Sequence, residues 1–281
     1  MGPGFYWQCS ESDLIFRFLD RKSSLSHISC VLRALLVDFR SIQIMTKDKN
    51  SVLEAMFSVG AHFGLVKARR HPSTKSFIFG AKNNVEIFDL EQTALALEKA
   101  KVFIASVAAS GKQSLWVAGK SEAKAALAKA AAKIAQPAVA GRWIGGTLTN
   151  FKEIQKRISK YEGRLVEKER GELAKYTKKE RLLIDREIAN LEELFGGIVS
   201  MKEKPGVMIV VDPKKEAIAV EEARQVGVPV IAIASSDCDF SLVDFAIPAN
   251  DASASSVAYF LDELAKSYAN AKVAKVAPSL K

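Results

Sequence analysis

Val207-Met-Ile-Val-Val211, Asp212-Pro-Lys-Lys-Glu-Ala-Ile-Ala-Val-Glu-Glu-Ala-Arg-Gln-Val226, Gly227 and Val228-Pro-Val-Ile-Ala-Ile-Ala234 follow one another without a break. The two outer runs are continuously apolar and rich in valine and isoleucine, the pattern of strands buried on both faces rather than of strands with one wet side. Between them, Lys214 to Val226 carries apolar residues at helical spacing, and Gly227 stands where a helix is closed by a residue with positive φ. A strand that returns through a helix to a second strand makes a parallel pair. The same alternation continues on both sides. Upstream are a strand at Ser114-Leu-Trp-Val-Ala118, a helix over Ser121 to Ala135 and a strand at Pro137-Ala-Val-Ala140; downstream are a strand at Phe245-Ala-Ile247 and a closing helix from about Ser253 to Ala271. The fold class is therefore α/β, a doubly wound, mostly parallel sheet covered by helices on both faces.

Nearer the start, Glu91 to Ser110 reads as a helix ended by Gly111, and Phe77-Ile-Phe79 with Val85 to Leu90 reads as an edge hairpin turning between Gly80 and Asn84. Ser51 is placed to cap a helix through Val52 to Val59. The alternation is interrupted between Phe151 and Phe195. Phe151, Ile154, Ile158, Tyr161 and Leu165 step by three and four, as do Ile184, Ile188, Leu191 and Phe195. These are the seams of two helices, expected to form an inserted antiparallel coiled-coil hairpin, with two surface helices lying flat on the sheet as the alternative. Residues 45–150 and 198–272 are then one α/β domain, 151–197 the insertion, 273–281 a flexible tail, and 1–44 an N-terminal extension with Met45 as a second candidate start.

Composition bounds the function. The chain has 281 residues, 48% hydrophobic and 26% charged, and no apolar run long enough for a membrane span. Its net charge is +9, and fifteen basic side chains against seven acidic ones fall in residues 45–150. A polyanionic partner follows from that excess. Three cysteines without a CxxC spacing and three scattered histidines complete no zinc pattern. The acids in residues 1–44 argue against a targeting presequence.

Enzyme chemistry finds little support. Gly119-Lys120-Ser121 sits between a strand and a helix as a phosphate loop would, but Ser114 stands where the first glycine of that loop is required. Asp212, Asp237 and Asp239 could meet at the carboxyl edge of the sheet and suit magnesium, yet no lysine partner is apparent and aspartates in such loops commonly cap helices. No catalytic residue, metal ligand or cofactor is assigned. Two other segments stand out. Lys67-Ala-Arg-Arg-His-Pro-Ser-Thr-Lys75 is a basic loop with no apolar face, and Ala140 to Phe151 is unusually glycine-rich and polar for a simple link. With Arg142, Trp143 and Lys152 they have the composition of an RNA-contacting surface.

At these residues the chain resembles the bacterial form of the second small-subunit ribosomal protein family. The resemblance runs from Val59-Gly-Ala-His-Phe-Gly64 through Phe77 to Gly80 and Ile87 to Leu90, and is strongest at Gly141-Arg-Trp-Ile-Gly-Gly-Thr-Leu-Thr-Asn-Phe151. It continues through Leu194 to Ile198, Val210 to Pro213, Ala217 to Glu222, Gly227 to Val230 and Ile247 to Asp251. It implies a flavodoxin- or Rossmann-like domain with a helical insertion and no catalysis. It further implies a place in the cytoplasm on the ribosome, as a monomer bound to 16S-type ribosomal RNA between head and body, with neighbouring ribosomal proteins that include an S1-like protein. The matching positions Arg69, Arg70, Arg142, Trp143, Thr149 and Asn150 are expected to face RNA, and charge adds Lys67, Lys75, Lys152, Lys178, Lys179 and Arg181. Leu65, His71 and the Ser235 to Phe240 loop depart from the family's usual residues. A nucleotide- or metal-dependent enzyme on the same scaffold is the competing reading, and an interaction scaffold acting off the ribosome a third.

Overall fold

The computed structural model describes residues 51–276, and the expected extension at 1–44 lies outside them. The unit described below begins at Val52. Residues 52–58 are helical and are labelled α1, and Ser51, expected as their cap, is itself helical. Strand β1 (Phe63–Val66) follows, then β2 (Ile78–Lys82), β3 (Val85–Phe88), α2 (Leu90–Ser110), β4 (Ser114–Ala118), α3 (Ser121–Ile134) and β5 (Ala138–Val139). Helices α4 (Phe151–Glu169) and α5 (Lys178–Phe195) lead to β6 (Val207–Val211), α6 (Ala217–Val226), β7 (Val230–Ala234), β8 (Phe245–Pro248) and α7 (Ala254–Val276).

Strands β5, β4, β6, β7 and β8 form one five-stranded sheet in that spatial order, every pair parallel. Counted along the chain the order is 2-1-3-4-5, the flavodoxin-like winding, with its reversal between β4 and β6. The three central strands are buried at every residue. Their alternation divides the core. Val207, Ile209 and Val211 join Trp116, Ile231 and Ile233 beneath α2, α3 and α7. Met208 and Val210 face the other way, among Leu115, Val117, Trp143, Phe195 and the α6 residues Ala219, Val220 and Ala223. This is why the strands read as continuous apolar runs: each face has its own cover.

Helix ends follow the local chemistry. Asp89 accepts from the Glu91 N–H at the start of α2, and Gly111 and Gly227 close α2 and α6 with φ of 83° and 74°. Helix α7 continues to Val276, into the stretch expected to be a tail.

The predicted hairpin exists but not at the edge of the main sheet. β2 and β3 turn at Asn83 and Asn84, both with positive φ, as a two-residue hairpin turn requires. β3 also pairs with β1, giving a separate three-stranded antiparallel sheet in the order β1-β3-β2. β1 is four residues with a glycine and a register shift, too short and irregular to declare itself in the sequence.

Helices α4 and α5 are 19 and 18 residues long and are tied together by Lys160 to Glu187 and Lys168 to Asp185 ion pairs. Thr177 and Glu180 form a capping box at the start of α5. Ile154 and Ile158 from α4 and Phe195 from α5 belong to the core beneath the sheet.

Candidate nucleic-acid interface

Because all five strands are parallel, the loops that follow them gather at one edge, the carboxyl edge, where α/β folds keep their sites. The basic loop at 67–77 is brought to that edge by hydrogen bonds from its backbone and side chains. The His71 N–H donates to the Ser236 carbonyl at 2.8 Å, the Thr74 hydroxyl donates to the same oxygen at 3.2 Å, and the Phe240 N–H donates to Ser73 Oγ at 3.1 Å. Lys67, Arg69 and Lys75 are exposed on it. Arg70 differs. Its guanidinium lies 3.3 Å from Glu86 Oε1, and the Glu86 side chain is 1% exposed, so Arg70 compensates a buried charge.

The loop from Gly141 to Asn150 is held from beneath by one side chain that the sequence reading did not single out. Glu222, on α6, is buried and accepts at Oε1 from the Gly146 N–H (2.7 Å) and the Trp143 indole N–H (3.3 Å). Its Oε2 accepts from the Leu148 N–H (3.0 Å) and from the N–H and hydroxyl of Thr149 (both 3.3 Å). Burial works to raise the pKa of this carboxyl, but the N–H groups of Leu148, Gly146 and Thr149 outweigh it and hold it below the ordinary carboxylate value. Gly146 has φ of 91°, which lets the loop turn its amides inward.

This anchor sorts the expected contact residues. Arg142, Asn150 and Lys152 are exposed, and Thr149 is exposed although its hydroxyl is engaged by Glu222. Trp143 is a correction: its ring is 6% exposed within the core and its N–H is taken by Glu222, so it shapes the loop and offers no face to a base. A tryptophan among glycines and arginines looks like a stacking platform in sequence; its partner lies 79 residues away. Lys178, Lys179 and Arg181 are exposed but start α5, beyond the 19 residues of α4, roughly 28 Å of helix from Asn150. They form a second basic surface, separate from the carboxyl edge, and the Arg181 Nε donates to the Tyr176 carbonyl at 3.1 Å.

The aspartates weighed as a metal cluster have cationic partners after all. Lys120 Nζ lies 2.8 Å from Asp212 Oδ2 and 2.7 Å from Asp251 Oδ2, joining the loops after β4, β6 and β8. Burial opposes the ammonium charge, yet hydrogen bonds from Lys120 to Asp212 and Asp251 overcome it and its pKa stands above the usual lysine value. Asp237 pairs with Lys214 at 2.9 Å, and Asp239 accepts from the Ser241 N–H as a cap. Among the described residues no group of three or more His, Cys, Asp or Glu is placed to hold a metal ion. No helix among them is long and apolar enough to cross a membrane.

A different surface lies on α1 and the small sheet. Phe57, Phe63 and Phe79 are exposed, Phe79 to 82%, and the His62 ring stacks on Phe57 and meets Phe63 at a tilt of 40°. Leu53, Phe57, Phe79, Phe88 and Leu90 line a groove of about 570 Å³ there. Exposed aromatics grouped in this way are a general feature of interaction surfaces.

Comparison with known proteins gives one answer. Three relatives are each named small ribosomal subunit protein uS2. The one from Roseiflexus sp. (strain RS-1) is 41% identical over 199 residues, 71% of this chain and 76% of its own. The one from Chelativorans sp. (strain BNC1) is 42% identical over 214 residues, covering 76% and 80% of the two chains. The one from Solidesulfovibrio magneticus is 36% identical over 214 residues, covering 76% and 83%. The family described as Ribosomal protein S2 matches residues 56–271, which takes in both sheets and helices α2 to α6, and the chain belongs to that family.

Proposed function

We propose that the protein is a structural, non-catalytic constituent of the small ribosomal subunit, acting in translation in the cytoplasm as a single copy bound to 16S-type ribosomal RNA. Membership of the Ribosomal protein S2 family supports the ribosomal role. The observation that carries the RNA contact is the pair of basic loops fixed at the carboxyl edge. Arg142 is presented by a loop clamped to Glu222, and Lys67, Arg69 and Lys75 by a loop fastened to Ser236 and Phe240. Cations held in place by the fold, with no acid paired to them among the described residues, suit a phosphate backbone that is itself fixed. Lys152, Thr149 and Asn150 extend that contact along the start of α4.

Helices α4 and α5 act as an inserted coiled-coil hairpin whose far end carries Lys178, Lys179 and Arg181 to a second stretch of RNA, between head and body of the subunit. The exposed aromatic groove of Phe57, Phe63 and Phe79 is the docking surface for a neighbouring ribosomal protein of the S1-like kind. Sucrose-gradient sedimentation of a native lysate tests the reading: the protein should travel with small subunits at moderate salt and be stripped from them at high salt. Protein found only at the top of the gradient under both conditions refutes it.

A further inference from the structure

The carboxyl edge also contains a crevice that shares Arg142 with the RNA surface but is otherwise built from residues that surface does not use. It lies where the strand order reverses between β4 and β6, has a volume of about 360 Å³, and is lined by Gly119, Lys124, Arg142, Trp143, Lys215 and Glu216. That size falls in the range of small-molecule sites, about 300–1,000 Å³. Glu216 is 5% exposed, and among the described residues nothing hydrogen-bonds to its carboxyl group. Gly119 makes room for it: a side chain at 119 would collide with Glu216 Oε1. Its oxygens are not sealed from solvent, so a donor can reach them from the crevice. Burial raises its pKa, with the Asp212 charge adding to the effect and Lys215 opposing it, and donors from a ligand would relieve that penalty. The three cations of the lining are exposed. Lys215 reaches only the Gly119 carbonyl, at 3.0 Å, and Lys124 and Arg142 form no ion pair among the described residues.

A ligand for this lining carries an anion at one end and adjacent N–H donors at the other. Phosphate suits Arg142 and the lysines. A carboxylate only accepts, and guanine alone among the RNA bases presents a ring N–H beside an amino group. We propose that the crevice between β4 and β6 binds a guanosine phosphate unit, Glu216 accepting from the guanine ring N–H and amino group while Lys124, Arg142 and Lys215 hold the phosphate. The unit is either a free mononucleotide or an unstacked guanosine of RNA, and only in the second case does the site rest on the RNA-binding reading.

Two measurements on the full chain separate the sources. Calorimetric titration with GMP and with AMP should show GMP bound about tenfold or more tightly, the discrimination of one bidentate base contact, with the preference lost in Glu216→Gln. In complex with a small-subunit ribosomal RNA transcript, one guanine should be protected from kethoxal, which attacks that same ring N–H and amino edge, and lose protection in Glu216→Gln. Should Glu216→Gln melt below the wild type, Glu216→Asp withdraws the acceptor by one methylene and serves instead. GMP preference identifies a mononucleotide site, and protection without it identifies an RNA site. Equal or absent binding of GMP and AMP, together with no guanine whose protection depends on Glu216, overturns the proposal. The RNA-binding reading fails on a different result, a wild-type chain that does not bind the transcript in a salt-dependent way.

Discussion

Replacing Glu222 with leucine should unfold the Gly141 to Asn150 loop before it touches anything else. The carboxylate satisfies four N–H donors, those of Trp143, Gly146, Leu148 and Thr149. A buried donor left unsatisfied costs about 1–3 kcal/mol, but Gly146 and Thr149 can turn to water once released, so the loss concentrates on the Trp143 and Leu148 donors and sums to about 3–4 kcal/mol. That is a large part of a typical domain stability of about 5–15 kcal/mol. At about 2–4 °C per kcal/mol for a domain of this size, thermal melting followed by circular dichroism should shift down by about 10 °C. Glu222→Gln keeps one acceptor oxygen and should lose about half as much. Proton linkage gives a second readout. The folded pKa of Glu222 is depressed, so its contribution is complete above the unfolded value near 4.3 and is lost as pH falls through the lower folded value. The stability gap between wild type and Glu222→Gln should therefore be flat from pH 6 to 8 and close below about pH 4. A Glu222→Leu protein that melts within 1 °C of wild type, or a gap that widens in acid, would refute the assignment of Glu222 as the anchor.

The two neighbouring arginines should separate fold from binding. Arg69→Ala removes an exposed cation and should leave the melting temperature unchanged while lowering the salt slope of RNA binding by about 0.7–0.9, the value of one phosphate contact. Arg70→Ala strands buried Glu86 and should destabilise by about 2–3 kcal/mol in a denaturant titration, less than a fully buried pair because Arg70 is partly solvated. Lys120→Met leaves Asp212 and Asp251 facing each other without their shared cation, and should lower stability at pH 7 by about 3 kcal/mol. Burial already raises the Asp251 pKa, so acidification should restore part of that loss in the variant as the carboxyl takes up a proton. Gly119→Ala should displace Glu216 and lower the melting temperature, whereas Gly80→Ala, where an added Cβ meets nothing, should not.

What the sequence made legible was local. The strands at Ser114–Ala118 and Val207–Val211 match their expected ends because continuous valine, leucine and isoleucine between turn residues leaves one reading, and Gly111 and Gly227 stop their helices by conformation alone. The parallel order followed from strands that return through helices. What was not legible depends on partners far along the chain. β1 exists only because β3 pairs with it, Trp143 is buried because Glu222 holds its N–H, and Lys120 is committed to Asp212 and Asp251. The basic loops were found by composition, but which of their arginines is free and which compensates a buried acid is a matter of burial, which composition does not encode.

The clamp on the Arg142 loop also sets a clock. The loop ends at Asn150, and the carboxylate that shapes it is 72 residues further on, at Glu222. At synthesis rates of about 5–20 residues per second, roughly 4–14 s separate the two. Throughout that interval the nascent loop carries its arginine without the geometry to present it. A half-made chain is thus kept from engaging nucleic acid with the Arg142 loop, and that loop becomes competent only when β6 and α6 have been made.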